Sequence, residues 1–86
     1  MQEDWKIQGQ CICREFKFAN FREAMSFMFM IAFEAEQMDH HPDWKNVYNK
    51  VLIELTTHDK GCVSDKDYAL AAKIDEIYSR YQVKTA

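Results

Sequence analysis

Glycine and proline are almost missing from this 86-residue chain, at two residues and one. A chain so poor in both is neither loop-dominated nor disordered. Runs of lysine or arginine are missing too, and the formal net charge is −3. A face that binds duplex nucleic acid has to be basic enough to displace counterions from phosphates, so direct nucleic-acid contact is not expected. No apolar stretch reaches the ~18 residues of a membrane-spanning helix, so no membrane partner is expected either. Cysteine is scarce: Cys11, Cys13 and Cys62 leave at least one thiol unpaired in a monomer. No signal peptide is read at the start, so reduced thiols in the cytoplasm, with the nucleus as a second compartment, are the expectation. There is no internal repeat and no low-complexity segment.

Apolar side chains are abundant instead. Hydrophobic residues make up 48% of the chain and aromatic residues 14%. The length fits a single domain over residues 1–86. A domain of this size buries only roughly 60% of the surface its unfolded chain exposes, so its stability is marginal unless something adds to the core. The apolar excess therefore favours a globular fold that also self-associates.

Trp5 to Gln8 and Cys11 to Phe18 both alternate around Gly9-Gln10, which predicts a β-hairpin. On its second strand Ile12, Phe16 and Phe18 share a face with Arg14, and Cys11, Cys13, Glu15 and Lys17 share the other. Asn20 can cap a helix from Phe21 to about Met38, with Glu23 three residues on as in a capping box. Its polar set (Arg22, Ser26, Glu36 and Gln37) groups on one side at about 100° per residue. Phe29, Met30 and Phe33 project into that same sector, while Ala24, Met25, Phe27, Met28, Ile31, Ala32 and Ala35 can face a sheet. A helix apolar nearly all round is usually buried on two sides, so Phe29, Met30 and Phe33 are candidate interface residues.

After a loop over Asp39–Asp43, Trp44 to Tyr48 and Val51 to Thr57 are predicted strands, with Asn49-Lys50 a turn or a bulge between them. Val51, Ile53 and Leu55 make one apolar face; Leu52, Glu54, Thr56 and His58 lie opposite. Asp59-Lys60-Gly61 is a predicted turn. Ser64 caps a last helix, with Asp67 closing a capping box and Leu70, Ile74, Ile77, Tyr78 and Tyr81 forming its stripe. Val83 to Ala86 is expected to fray. The order β-β-α-β-β-α implies an α+β fold: a four-stranded antiparallel sheet with two helices on one face.

The three histidines of the chain, His40, His41 and His58, fall on two segments with carboxylates nearby. Imidazole titrates near neutral pH and can give or take a proton there, so the cluster suggests an acid–base pocket. Plainer readings exist. His40 and His41 suit the C-terminal end of a helix dipole. His58 can be an ordinary strand-end residue, Glu36 a solvated helix residue, and Trp44 and Tyr48 structural. Zinc is not expected: Cys11 and Cys13 lie on one strand face, and neither C-x-x-C nor H-x-x-x-H occurs.

Glu36, three spacers, His40-His41-Pro42, then Tyr48 after five more residues, His58 after nine and Asp67 eight beyond that form an ordered constellation. It resembles the pterin-4a-carbinolamine dehydratases, also called dimerisation cofactor proteins. The likeness extends to Phe16 and Phe18 before the long helix, to Val47-Tyr48-Asn49-Lys50-Val51 and to Thr57-His58, and spans essentially the whole chain from Trp5. One departure is that family members usually begin with a further helix before a Gly-Trp pair, whereas Trp5 follows Asp4 almost at the start. It bears on the covering of one sheet region and not on the site.

The resemblance implies loss of water from a 4a-hydroxytetrahydropterin to give the quinonoid dihydropterin, in recycling of the pterin cofactor, with no metal or organic cofactor. Expelling hydroxide requires a proton donor at the departing oxygen and removal of a proton from a ring nitrogen. Imidazoles near pKa 6.5 can do both, each step worth typically 10²–10⁴-fold. On this reading His40 and His58 are the acid–base pair and His41 positions the pterin. Glu36, Asp67 and Asp39 orient imidazoles or bind polar ring edges, Trp44 supplies an apolar wall, and Pro42 fixes the turn. Activity is expected to fall on the acid side near pH 6. The resemblance further implies a homodimer or homotetramer built through the first long helix. It also implies an alternative role, since some animal relatives stabilise dimers of a homeodomain transcription factor.

Overall fold

A computed structural model describes residues 4–57 and 60–81 of the chain. His58, Asp59 and residues 82–86, which include the expected fraying tail Val83 to Ala86, lie outside the described residues. The elements run β1 (Lys6–Gln8), β2 (Cys11–Lys17), α1 (Phe21–Met38), β3 (Asp43–Val47), β4 (Lys50–Leu55) and α2 (Asp65–Ser79). The strands form one antiparallel sheet in the order β1-β2-β4-β3. This is the α+β architecture that the sequence pattern predicts.

Register follows from which strand face is apolar. β2 and β4 pair so that Ile12 meets Leu55, Arg14 meets Ile53 and Phe16 meets Val51. All of these but Arg14 are buried, against Ala24, Phe27, Ile31 and Ala35 of α1 and Leu70, Ala71, Ile74, Ile77 and Tyr78 of α2. Slipping the register by one residue would turn the polar row Cys11, Cys13, Glu15 and Lys17 into this core, so the pairing is strongly specified. Rings fill one end: Phe16 lies 5.0 Å from Phe27 and 4.8 Å from Tyr78, and Phe18 lies 4.8 Å from Phe27. Aliphatic side chains (Ile12 opposite Leu55) fill the other.

Arg14 explains itself. It stands on the core face of β2, with its guanidinium 4.6 Å above the Phe16 ring and 5.2 Å from that of Tyr78. It donates to Asp75 Oδ1 at 2.8 Å, and Trp5 Nε1 donates to the same carboxylate at 2.9 Å. A charge this deep in an apolar layer is tolerated only when paired and hydrogen-bonded. Burial pushes the Asp75 carboxyl above its ordinary range, against the downward pull of the Trp5 hydrogen bond and Arg14.

Both helices begin where expected. Asn20 Oδ1 accepts from Glu23 N at 2.9 Å, but the Glu23 carboxylate accepts in return from Ala19 N rather than from Asn20 N. Ser64 and Asp67 make the full capping box of α2. Three further details differ from the sequence expectation. β1 starts at Lys6, and Trp5 is buried as an anchor rather than a strand residue. The β3–β4 turn is Tyr48-Asn49, one residue earlier than Asn49-Lys50, with Tyr48 left-handed at φ 52°. Asn46 Nδ2 holds that turn by donating to the carbonyls of Tyr48 and Lys50.

The third difference concerns α1. Phe29 and Phe33 are exposed, at 66% and 65%, as their position beside Arg22 and Ser26 predicts. Met30 is instead half-buried against the core, and its sulfur accepts a long contact from Tyr81 Oη at 3.6 Å. Met25 and Ala32, expected to face the sheet, are exposed. Two helices covering a four-stranded sheet leave α1 a narrower buried stripe than a fully flanked helix has. The solvent face of α1 therefore carries Met25, Phe29, Ala32 and Phe33.

Candidate active site

α1 ends in a way that aims the next residues. Asp39 adopts the left-handed conformation, φ 56° and ψ 41°, while its N–H and that of His40 bond back to Glu36 O at 3.1 Å and Ala35 O at 3.0 Å. This is a Schellman-type stop with aspartate at the position usually taken by glycine. Aspartate tolerates that conformation better than bulkier residues do. Pro42 follows and cannot continue a helix. The tandem histidines thus leave the helix on different sides: His40 is 8% exposed, and His41 is exposed.

His40 Nε2 lies 2.6 Å from Oδ1 of Asp67, which is fully buried in the first turn of α2. The second oxygen, Oδ2, accepts from Thr57 Oγ1 at 2.8 Å and from Ser64 N at 2.8 Å. A buried carboxylate has to be satisfied in this way, because each unpaired lone pair would cost desolvation energy with no return. One group therefore caps α2, ties it to the end of β4 and holds the imidazole after α1. His41 Nε2 lies 3.0 Å from Glu36 Oε1, an exposed pair five residues apart in the chain.

An ionised carboxylate only accepts, so against such a partner each ring donates through Nε2. Asp39, His40, His41 and Pro42 of the loop and Asp43 at the start of β3 border a cleft of about 370 Å³, together with Thr56 and Thr57 just after β4 and Lys66 from α2. That volume lies in the range of small-molecule sites, about 300–1,000 Å³. A depression of about 410 Å³ on the sheet face away from the helices, bordered by Asp4, Lys6 and Glu15 among others, is larger but contains no histidine.

Asp67 and Glu36 stand behind the cleft, each bonded to a histidine that lines it. Trp44 does not line the cleft; on the helix side of β3, opposite Ile53, it packs half-buried against the core. Tyr48 is exposed at the far end of β3 from the cleft. His58 lies outside the described residues, although its neighbour Thr57 borders the cleft. Sequence reasoning missed Thr56, Thr57, Asp43 and Lys66 as cleft residues. Thr57 carried one signal, its place beside His58; Lys66, an exposed helix residue, carried none.

Among the described residues no group of three or more His, Cys, Asp or Glu side chains is placed to hold a metal ion, and no helix is long and apolar enough to cross a membrane.

A family model described as pterin 4 alpha carbinolamine dehydratase matches residues 1–77. The chain belongs to the pterin-4-alpha-carbinolamine dehydratase family. A protein of Prochlorococcus marinus (strain NATL2A), provisionally named as such a dehydratase, is 53% identical over 73 residues, 85% of this chain and 77% of that one. The crystal structure of a transcriptional coactivator/pterin dehydratase from Brucella melitensis superposes with a TM-score of 0.85 at 40% identity, over 88% of this chain and 83% of the other. A pterin dehydratase-like protein identified as a RuBisCO assembly factor in the alpha-carboxysome shares the fold alone, with a TM-score of 0.72 at 19% identity over 86% of each chain. The dehydratase fold thus carries proteins with more than one described role.

Proposed function

We propose that this protein dehydrates 4a-hydroxytetrahydropterins to quinonoid dihydropterins by histidine acid–base catalysis. The observation that carries the proposal is the buried Asp67–His40 pair at the edge of the cleft. A ring held at Nε2 by a buried carboxylate is fixed in orientation and tautomer, and its Nδ1 is the atom that trades a proton with substrate. His58, next in the chain to cleft-lining Thr57, is the proposed partner. One imidazole protonates the departing hydroxyl at carbon 4a, and the other takes the proton from the ring nitrogen. The C–O electron pair leaves with the oxygen as water while the new double bond forms at the ring.

His41, steadied by Glu36, positions the pterin from the exposed side. Asp39 contributes a polar edge and Pro42 the turn. Trp44 acts by supporting the β3 edge of the core, a more distant role than a cleft wall. Neither a metal nor an organic cofactor enters the scheme.

The test is the dehydration rate of His40→Ala, His58→Ala and the double variant. Each single change is expected to lower kcat by roughly 10²- to 10⁴-fold. Wild-type turnover in the double variant overturns the assignment.

A second reading draws on the exposed Phe29–Phe33 pair, whose rings stack edge to face at 5.2 Å on α1. Apolar helix faces of this kind seat other helices. We assign this face to self-association into a dimer or tetramer. Docking of a transcription factor's dimerisation helices is the alternative occupant, in keeping with the coactivator description of the Brucella protein. The site lies at the end of α1 and the patch in its middle, so the two roles are compatible.

A further inference from the structure

We propose that Thr57 is a positioning residue for the dehydration, acting through Asp67 on His40; the inference rests on the dehydratase reading above. Threonine has one hydroxyl proton, and Oγ1 lies 2.8 Å from Asp67 Oδ2, an atom that only accepts. The proton is therefore committed to Asp67. In the 2.5 Å contact between the two hydroxyls, Ser64 must then be the donor to Thr57. Ser64 Oγ in turn accepts from Lys66 N at 3.3 Å. Donation runs one way, from the backbone of α2 through Ser64 and Thr57 to the carboxylate.

The backbone of Thr57 is hydrogen-bonded through both its N–H and its carbonyl. Its N–H bonds Cys62 O at 3.1 Å, and its carbonyl accepts from Lys60 N at 3.0 Å and Gly61 N at 2.9 Å. A carboxylate's terminal torsion is otherwise soft and roughly two-fold. With Oδ2 saturated by Thr57 and Ser64 N, Oδ1 stays on His40 Nε2. Thr57 thus fixes the plane of the carboxylate, and with it how squarely an acceptor oxygen faces His40 Nε2 and holds the hydrogen there. The hydroxyl also helps satisfy a buried carboxylate, so its loss costs stability as well, and the kinetic and spectroscopic readouts are what separate positioning from folding. β-Branched valine keeps the shape that a buried strand-end position favours.

The experiment compares Thr57→Val, which removes the hydroxyl while keeping the branched shape, with Thr57→Ser, which keeps it. Steady-state kinetics on a 4a-hydroxytetrahydropterin are read beside ¹⁵N spectra of the His40 ring. Thr57→Val is expected to lower kcat roughly 10- to 100-fold, the size of one hydrogen bond to a charged group. KM should change little, and the His40 spectrum should move toward mixed tautomers. Thr57→Ser should restore both. Thr57→Ala removes the same hydroxyl and is read identically if the valine variant does not fold. Wild-type kcat and an unmoved His40 spectrum in a folded hydroxyl-less variant overturn the proposal. An inactive wild type whose His40 spectrum still shifts in Thr57→Val overturns the dehydratase reading and supports the positioning role of Thr57.

Discussion

Two carboxylates, Asp67 and Glu36, bond the tandem histidines in the same way, yet burial makes them unequal. Asp67 is inaccessible to solvent and accepts three hydrogen bonds, two from side chains and one from the start of α2. Its removal strands an imidazole N–H, a hydroxyl and a helix-terminal N–H in the interior. Asp67→Ala is therefore expected to cost roughly 2–4 kcal/mol, the sum of a lost cap and unsatisfied donors. Glu36 is exposed, and water replaces it readily, so Glu36→Ala should stay within about 0.5 kcal/mol. Urea unfolding of both variants checks the pair; equal losses would contradict the burial argument. The sequence showed both residues by their spacing from His40-His41-Pro42. It could not rank them, because burial depends on α2 closing over the end of β4.

The elements carry signals of differing strength. Capping chemistry is local, and Asn20 and Ser64 both act where the sequence placed them. The β3–β4 turn was displaced by one residue because Tyr48 accepts a left-handed conformation that bulky side chains disfavour. Asn46 and the pairing of Val47 with Lys50 hold it there. Tyr48→Asn is expected to raise stability by up to about 1 kcal/mol, as asparagine takes that conformation at lower cost. A lower unfolding midpoint would show that the ring contributes more than the strain costs. On α1 the exposed Phe29 and Phe33 set a different test. Sedimentation of Phe33→Glu should yield smaller species than wild type, because a charge would be buried in an apolar contact. An unchanged assembly rejects this face as the interface.

For the molecule as a whole, one core joins the sheet to both helices, with Phe27 buried among Phe16, Phe18 and Tyr78. Phe27→Ala should cost about 3–5 kcal/mol, a large share of the stability of so small a domain. The Arg14–Asp75–Trp5 cluster locks β2 and the N-terminal segment to α2. Since burial raises the Asp75 pKa, the folded state binds its proton more tightly than the unfolded state does. Its titration contributes stability that is fully present below about pH 3.9, the unfolded value, and lost as pH rises through the higher folded value. The stability of wild type relative to Asp75→Asn should therefore decline with pH from about 4 upward. A relative stability that rises instead would mean that Arg14 and Trp5 outweigh desolvation.

Strand and helix identities, both caps and the apolar faces of β2 and β4 follow from periodicity and spacing, which are properties of neighbours along the chain. Three matters came only from how distant segments meet. Asp67 was legible as a helix cap and as a residue that orients an imidazole or binds a ring edge, but that its partner is His40, 27 residues away, was not. Arg14 shares the apolar face of β2 in the sequence pattern, but its partner Asp75 lies 61 residues away. Thr57 looked like ordinary strand until its hydroxyl was set against the buried carboxylate. Burial and partner geometry are fixed when layers pack, and local pattern holds no record of which side chain will lie across the gap.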